Sequence, residues 1–142
     1  MATLLFFPAE IGLAHIVRTL AVAEACRAKG HQVAIAVPKR KRHYIPKNIR
    51  VIEVEPLSDV DSIEIINDHF NRTYFEHLVA VDKAVIEAER PQLVIVDFRF
   101  SALVASAACG AAAVLLTNST ALTVEHDWPS FGRTIVVEKF HR

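Results

Sequence analysis

Short apolar runs alternate along this chain with longer segments in which apolar residues recur every three or four positions. The runs fall at residues 3–7 (TLLFF), 32–37 (QVAIAV), 50–54 (RVIEV), 93–96 (LVIV) and 112–116 (AAVLL). The first, fourth and fifth are almost continuously apolar. Strands covered on both faces by helices have this pattern, because neither face meets water.

The intervening segments carry the helical period. Ile16, Leu20, Ala23 and Cys26 form one stripe within residues 15–29, and Gly30 stands where a left-handed C-terminal cap favours glycine. Ile63, Ile66, Phe70, Tyr74, Leu78, Val81, Val85 and Ala88 advance by three or four, which predicts helix over 63–89. Asp68 and Asn71 are places where it could divide, and Pro91 marks its end. A third helix is expected over 101–109, with Ser101 as its cap and Gly110 at its close.

Strand and helix in alternation predict an α/β fold: a Rossmann-like, doubly wound, mostly parallel sheet in three layers, with right-handed crossovers. Residues 1–120 are expected to form this domain. Residues 121–142 are expected to be a tail continuing the same truncated domain, with Ile135, Val136 and Val137 as a possible further strand. Ligands in such sheets bind outside the carboxyl ends of the strands. That rule directs attention to residues 8–15, 38–47, 97–101 and 117 onward.

Composition narrows the classes. The 142 residues are 52% hydrophobic, enough for a true core. Sixteen Lys and Arg balance sixteen Asp and Glu, so the chain lacks the cationic excess of a generic nucleic-acid binder. The apolar stretch 103–116 contains Ser106 and Gly110 and falls short of a bilayer span. Residues 1–7 have no basic flank, so a secretory signal is not expected, and the expected location is cytoplasmic. Cys26 and Cys109 are expected to be buried thiols, with one disulfide as the alternative.

Two residues combine into a chemical hypothesis. His15 opens the first helix, where the dipole disfavours a further positive charge and so favours the neutral imidazole that acts as a base. Asp97 follows the buried run 93–96 and so stands at the sheet's carboxyl edge, beside the first strand's loop if the strand order is the usual one. A carboxylate within reach of His15 would orient the ring and stabilise it after it takes a proton. The bland alternatives are a histidine that merely begins a helix, and an aspartate that caps the next one or pairs with Arg99.

Other segments carry weaker signals. Lys39, Arg40, Lys41 and Arg42 form the one basic cluster. It reads as a solvated loop balanced by nearby acids, or as a peripheral contact with anionic lipid. Asn118, Ser119 and Thr120 match a glycosylation sequon, more plausibly ordinary turn chemistry. His69, His77 and His126 show no zinc spacing and read as solvated.

Residues 6–33 (FFPAEIGLAHIVRTLAVAEACRAKGHQV) resemble the opening of GT-B glycosyltransferases of the UDP-glycosyltransferase and MurG-like branches. Residues 91–97 (PQLVIVD) are similar to that family's fourth-strand motif, and Ser101, Gly110, Thr117 and Asn118 continue the likeness to about residue 120. The resemblance implies two Rossmann-like domains, the N-terminal one holding the acceptor and the other most of the nucleotide sugar. It implies His15 as the base, Asp97 as its partner, and inversion at the anomeric carbon without a metal. Pro8, Gly12, Phe98, Arg99, Thr117 and Asn118 are the expected acceptor-binding residues.

Two departures stand out. Ala14 replaces a glycine common before the histidine, and no Gly-rich phosphate loop occurs in the chain. No cofactor is therefore expected within this chain, and a UDP- or dTDP-sugar is the implied donor of the complete enzyme. The expected partners are a small-molecule or lipid acceptor and a donor-binding domain or subunit lying outside this chain. A homodimer is a further possibility. The rival readings are a stand-alone Rossmann-like module that binds a nucleotide or metabolite, and a structural subunit without catalysis.

Overall fold

The computed structural model describes residues 1–57, 72–116 and the backbone of 135–137. The chain runs β1 (Thr3–Pro8), α1 (Ala14–Ala28), β2 (Gln32–Val37), a short 3-10 helix (Lys39–Tyr44) and β3 (Arg50–Glu53). It continues through α2 (Arg72–Glu89), β4 (Leu93–Asp97), α3 (Phe100–Ala108), β5 (Ala113–Leu116) and β6 (Ile135–Val137). The sheet order is β3-β2-β1-β4-β5-β6, and each neighbouring pair is parallel. This is the doubly wound α/β arrangement that the alternation predicts, with every pairing parallel.

Period-two alternation divides the core between the two faces of the sheet. Leu4, Phe6, Ile35, Val37 and Ile95 face one side and pack with Ile16 and Ala23 of α1. Leu5, Phe7, Ala34, Ala36, Val94 and Val96 face the other, against Ile86 of α2 and Ala102 and Ala105 of α3. Helices α2 and α3 also contact each other. The result is three layers, with α1 on one side and α2 and α3 on the other.

Element boundaries differ from the sequence pattern by about one residue. β1 reaches Pro8 and β4 reaches Asp97, while β3 stops at Glu53 and β5 starts at Ala113. Gly30 adopts φ +83° after α1, as a left-handed cap requires. The part of the second expected helix before Arg72 lies outside the described residues, as do 117–134 and 138–142 of the tail.

Two local expectations are corrected. α3 begins at Phe100 with Arg99 in the cap position, and no side chain caps it. The Ser101 hydroxyl instead donates to Asp82 Oδ2 at 2.7 Å, a buried acceptor that competes with the role of cap. Cys26 and Cys109 are free thiols and half-buried rather than fully buried.

Candidate active site

β1 and β4 are neighbours in the sheet, yet the chain leaves β1 toward α1 and leaves β4 toward α3 on the opposite face. The crevice between those departures is the switch point of the doubly wound sheet. Pro8 and Asp97 are registered partners there, and Ala9 N–H donates to the Asp97 carbonyl at 2.6 Å. Alternation puts Asp97 on the same face as Ile95, which is the face covered by α1.

Helix α1 brings three side chains to that carboxylate. Ile16, Thr19 and Ala23 face the sheet. His15 and Arg18, one helical turn apart, lie beside that stripe. His15 Nδ1 stands 2.7 Å from Asp97 Oδ1. Arg18 Nε donates to Asp97 Oδ2 at 2.8 Å, and Arg18 Nη2 donates to Oδ1 in a still closer contact. Arg18 Nη2 is also 3.2 Å from His15 Nδ1, and Thr19 Oγ1 lies 3.4 Å from Asp97 Oδ2.

Asp97 has no exposed surface, whereas the His15 side chain is 21% exposed and that of Arg18 28%. Burial pushes the Asp97 carboxyl upward, but hydrogen bonds and charge from His15 and Arg18 outweigh it and hold the group below its ordinary range. An ionised carboxylate only accepts, so the 2.7 Å contact assigns the proton to His15 Nδ1. Nε2 is then the nitrogen with the free lone pair. This arrangement suits proton abstraction from a group approaching the crevice.

Phe98 closes the site from the β4 side. Its ring is 5.4 Å from the His15 ring and 5.0 Å from that of Phe100. Its backbone has φ +62°, a left-handed conformation that costs a non-glycine residue about 1 kcal/mol. A single antiparallel bridge to Pro8 holds that turn. Gly12 is exposed at φ +68° in the turn before α1, where a side chain would be strained.

The other sequence candidates are placed differently. Pro8 is buried at the end of β1. Arg99 has no exposed surface with which to line an acceptor pocket, because its guanidinium is drawn into the core by Asp82. Arg99 Nη2 donates to Asp82 Oδ1 at 2.8 Å and to the Glu55 carbonyl at 3.0 Å, and Nε donates to Asp82 Oδ2 at 3.0 Å. Thr117 and Asn118 lie outside the described residues, as do His69 and His126. His77 is exposed and pairs with Glu55 at 2.6 Å.

The basic cluster is only partly solvated. Lys41 is buried, its ammonium 6.0 Å from the Tyr44 ring, and Arg40 reaches inward to Glu10 at 2.8 Å. Lys39 and Arg42 remain exposed. Glu10 is a buried acid that sequence reasoning did not single out; it also accepts from Leu57 N–H at 2.7 Å. Burial pushes its carboxyl above the ordinary range, against the opposing pull of Arg40, the Leu57 amide and Arg99. Arg40, with Lys39, Glu53, Glu55 and Val81 among others, lines an open cleft of about 600 Å³.

Arg18 was also not singled out in the sequence, although its spacing from His15 puts both on one helix face. Among the described residues, no group of three or more His, Cys, Asp or Glu side chains is arranged to hold a metal ion. Among them, too, no helix is long and apolar enough to cross a membrane.

Similarity to solved structures defines the class to which this fold corresponds. The chain matches the SsfS6 glycosyltransferase of Streptomyces sp. SF2575 at 15% identity and TM-score 0.62, over 82% of this chain and 39% of that one. It matches the glycosyltransferase SnogD from Streptomyces nogalater at 25% identity and TM-score 0.61, over 82% and 33%. It matches the glycosyltransferase VinC, solved in complex with dTDP, at 20% identity and TM-score 0.60, over 80% and 34%. The chain has the fold of the N-terminal domain of GT-B glycosyltransferases and spans about a third of the length of these proteins. No family model and no curated protein matches the sequence.

Proposed function

We propose that this chain is the acceptor-binding half of an inverting, nucleotide-sugar-dependent glycosyltransferase. The observation that carries the reading is the contact of 2.7 Å between half-buried His15 and buried Asp97 at the switch point of the sheet. His15 Nε2 takes the proton of an acceptor hydroxyl. The acceptor oxygen forms its bond to the anomeric carbon, and the carbon–oxygen bond to phosphate breaks with its electron pair going to the nucleoside diphosphate. Asp97 holds the ring in the Nδ1–H tautomer and stabilises the imidazolium formed. Solvent then takes up the proton.

The donor is a UDP- or dTDP-sugar. Two glycosyltransferases of this fold, SsfS6 and VinC, were solved with thymidine diphosphate. The donor-binding half is supplied by a further domain or a separate subunit. Phe98 offers the acceptor an aromatic wall beside His15, which fits an apolar aglycone, and Gly12 leaves the approach open. Thr117 and Asn118 belong to the acceptor-binding set by the sequence resemblance. If the acceptor is a lipid, the exposed Lys39 and Arg42 are the cations that meet anionic headgroups.

The test is transfer from UDP- and dTDP-sugars to a panel of hydroxyl acceptors by the enzyme carrying its donor-binding half. His15→Ala is expected to lower kcat on the order of 10²–10⁴-fold, the usual contribution of a general base. Unchanged turnover removes the assignment. Tight nucleotide binding by this chain alone, without transfer, favours a stand-alone binding module instead.

A further inference from the structure

We propose that Arg18 is a positioning residue of this site: its guanidinium fork locks the Asp97 carboxylate in the orientation that receives His15 Nδ1, and so fixes the tautomer of the ring. The inference rests on the reading of His15 as a base, and its test needs no turnover.

The geometry accounts for every acceptor position of the carboxylate. Oδ1 accepts from His15 Nδ1 at 2.7 Å and from Arg18 Nη2. Oδ2 accepts from Arg18 Nε at 2.8 Å and faces the Thr19 hydroxyl at 3.4 Å. Two oxygens with about four lone-pair sites are thereby filled. A carboxylate with no exposed surface has no solvent to share this task, and the planar two-point fork of Arg fixes its plane as a point charge would not.

Arg18 Nη2 donates to the oxygen that also accepts from His15, and it lies 3.2 Å from His15 Nδ1, so one guanidinium touches both members of the pair. Among the described residues, the charged partners in contact with His15 are Asp97 from β4 and Arg18 from α1, with Phe98 the neighbour from the loop after β4. Asp97 thus orients the ring while Arg18 holds Asp97 in place, and Nε2 stays open.

The test is nitrogen NMR of the full chain with labelled histidine, which reads the tautomer of the neutral His15 ring directly. The unaltered protein is expected to hold the Nδ1–H tautomer. In Arg18→Gln the neutral ring is expected to become a mixture of the Nδ1–H and Nε2–H tautomers, because the carboxylate loses the fork that fixes its plane. An unaltered Nδ1–H ring overturns the proposal, and so does a lower thermal stability with no change at His15, which marks a merely structural role. Should Arg18→Gln fail to fold, Arg18→Lys keeps a charge without the fork. A mixture of tautomers in that variant supports the proposal, and an unaltered Nδ1–H ring overturns it. A mixture of tautomers in Arg18→Gln beside undiminished turnover in His15→Ala would leave the Arg18 coupling standing while rejecting His15 as the base.

Discussion

Asp82→Ala is expected to be among the most destabilising single substitutions in the described part of the molecule. Asp82 and Arg99 are both fully buried, and the carboxylate accepts from Arg99 at 2.8 and 3.0 Å and from the Ser101 hydroxyl at 2.7 Å. Removing it strands a guanidinium that, among the described residues, keeps only the Glu55 carbonyl at 3.0 Å, since its Nη1 has no partner there. Breaking a buried pair in this way costs about 3–5 kcal/mol, and the orphaned hydroxyl adds to it. For a domain of this size each kcal/mol lowers Tm by about 3 °C, so the expected fall is roughly 10–15 °C.

Calorimetry or urea titration of the purified protein measures the loss. Arg72→Ala is the control, since it breaks an exposed pair with Glu76 on one helix and should leave no measurable shift. The double replacement Asp82→Leu with Arg99→Met should recover most of the loss, because an apolar pair of similar volume needs no partner. A loss below about 1 kcal/mol in Asp82→Ala refutes the reasoning, since the guanidinium would then have found water or another acceptor. The pair bears on the site because Arg99 directly follows Phe98. Its anchorage to Asp82 on α2 and to the Glu55 carbonyl helps to hold the left-handed turn that sets the aromatic wall beside His15.

Two predictions concern pH. The folded state holds the Asp97 carboxyl below its ordinary value of 3.8, so its ionised form contributes stability that is present above that value and lost as pH falls through the lower folded value. Asp97→Asn should be less stable at neutral pH and should lack that part of the acid limb, as read from urea midpoints between pH 2 and 6; an identical acid limb would contradict the assignment. Glu10 has the opposite sign, because its carboxyl is raised above 4.5 by burial, so its contribution is greatest below that value and falls as pH rises through the folded one. Glu10→Gln should therefore gain stability relative to the unaltered protein as pH climbs above 4.5, and a constant difference between the two would count against it.

Much of the sheet was legible because strands 3–7 and 93–96 are apolar on both faces, a pattern that only a covered parallel strand requires. Asp97 stood out for the same reason: it is the first charged residue after such a run, so it had to emerge at the carboxyl edge. Gly30 marked a helix end through its positive φ, which glycine alone adopts freely. The inward-turned charges were not legible. Arg99 reads as a surface cation until Asp82, on another element, draws it into the core. Glu10 likewise meets Arg40 and the Leu57 amide only after folding. Their burial depends on partners distant in sequence, which composition and periodicity do not encode. Ser101 had the composition of a cap, but a buried carboxylate was the stronger acceptor for its hydroxyl. Arg18 was hidden for a different reason. Its spacing from His15 was visible, but the fork it makes on Asp97 depends on how closely α1 rides over β4.

The most direct measurement of the central claim is chemical rescue of His15→Ala by added imidazole, in the enzyme carrying its donor-binding half. If His15 Nε2 accepts the acceptor's proton, transfer lost in the variant should return in proportion to the concentration of neutral imidazole, and should follow that base's own titration. A variant that transfers sugar as fast as the unaltered enzyme without imidazole would contradict the account.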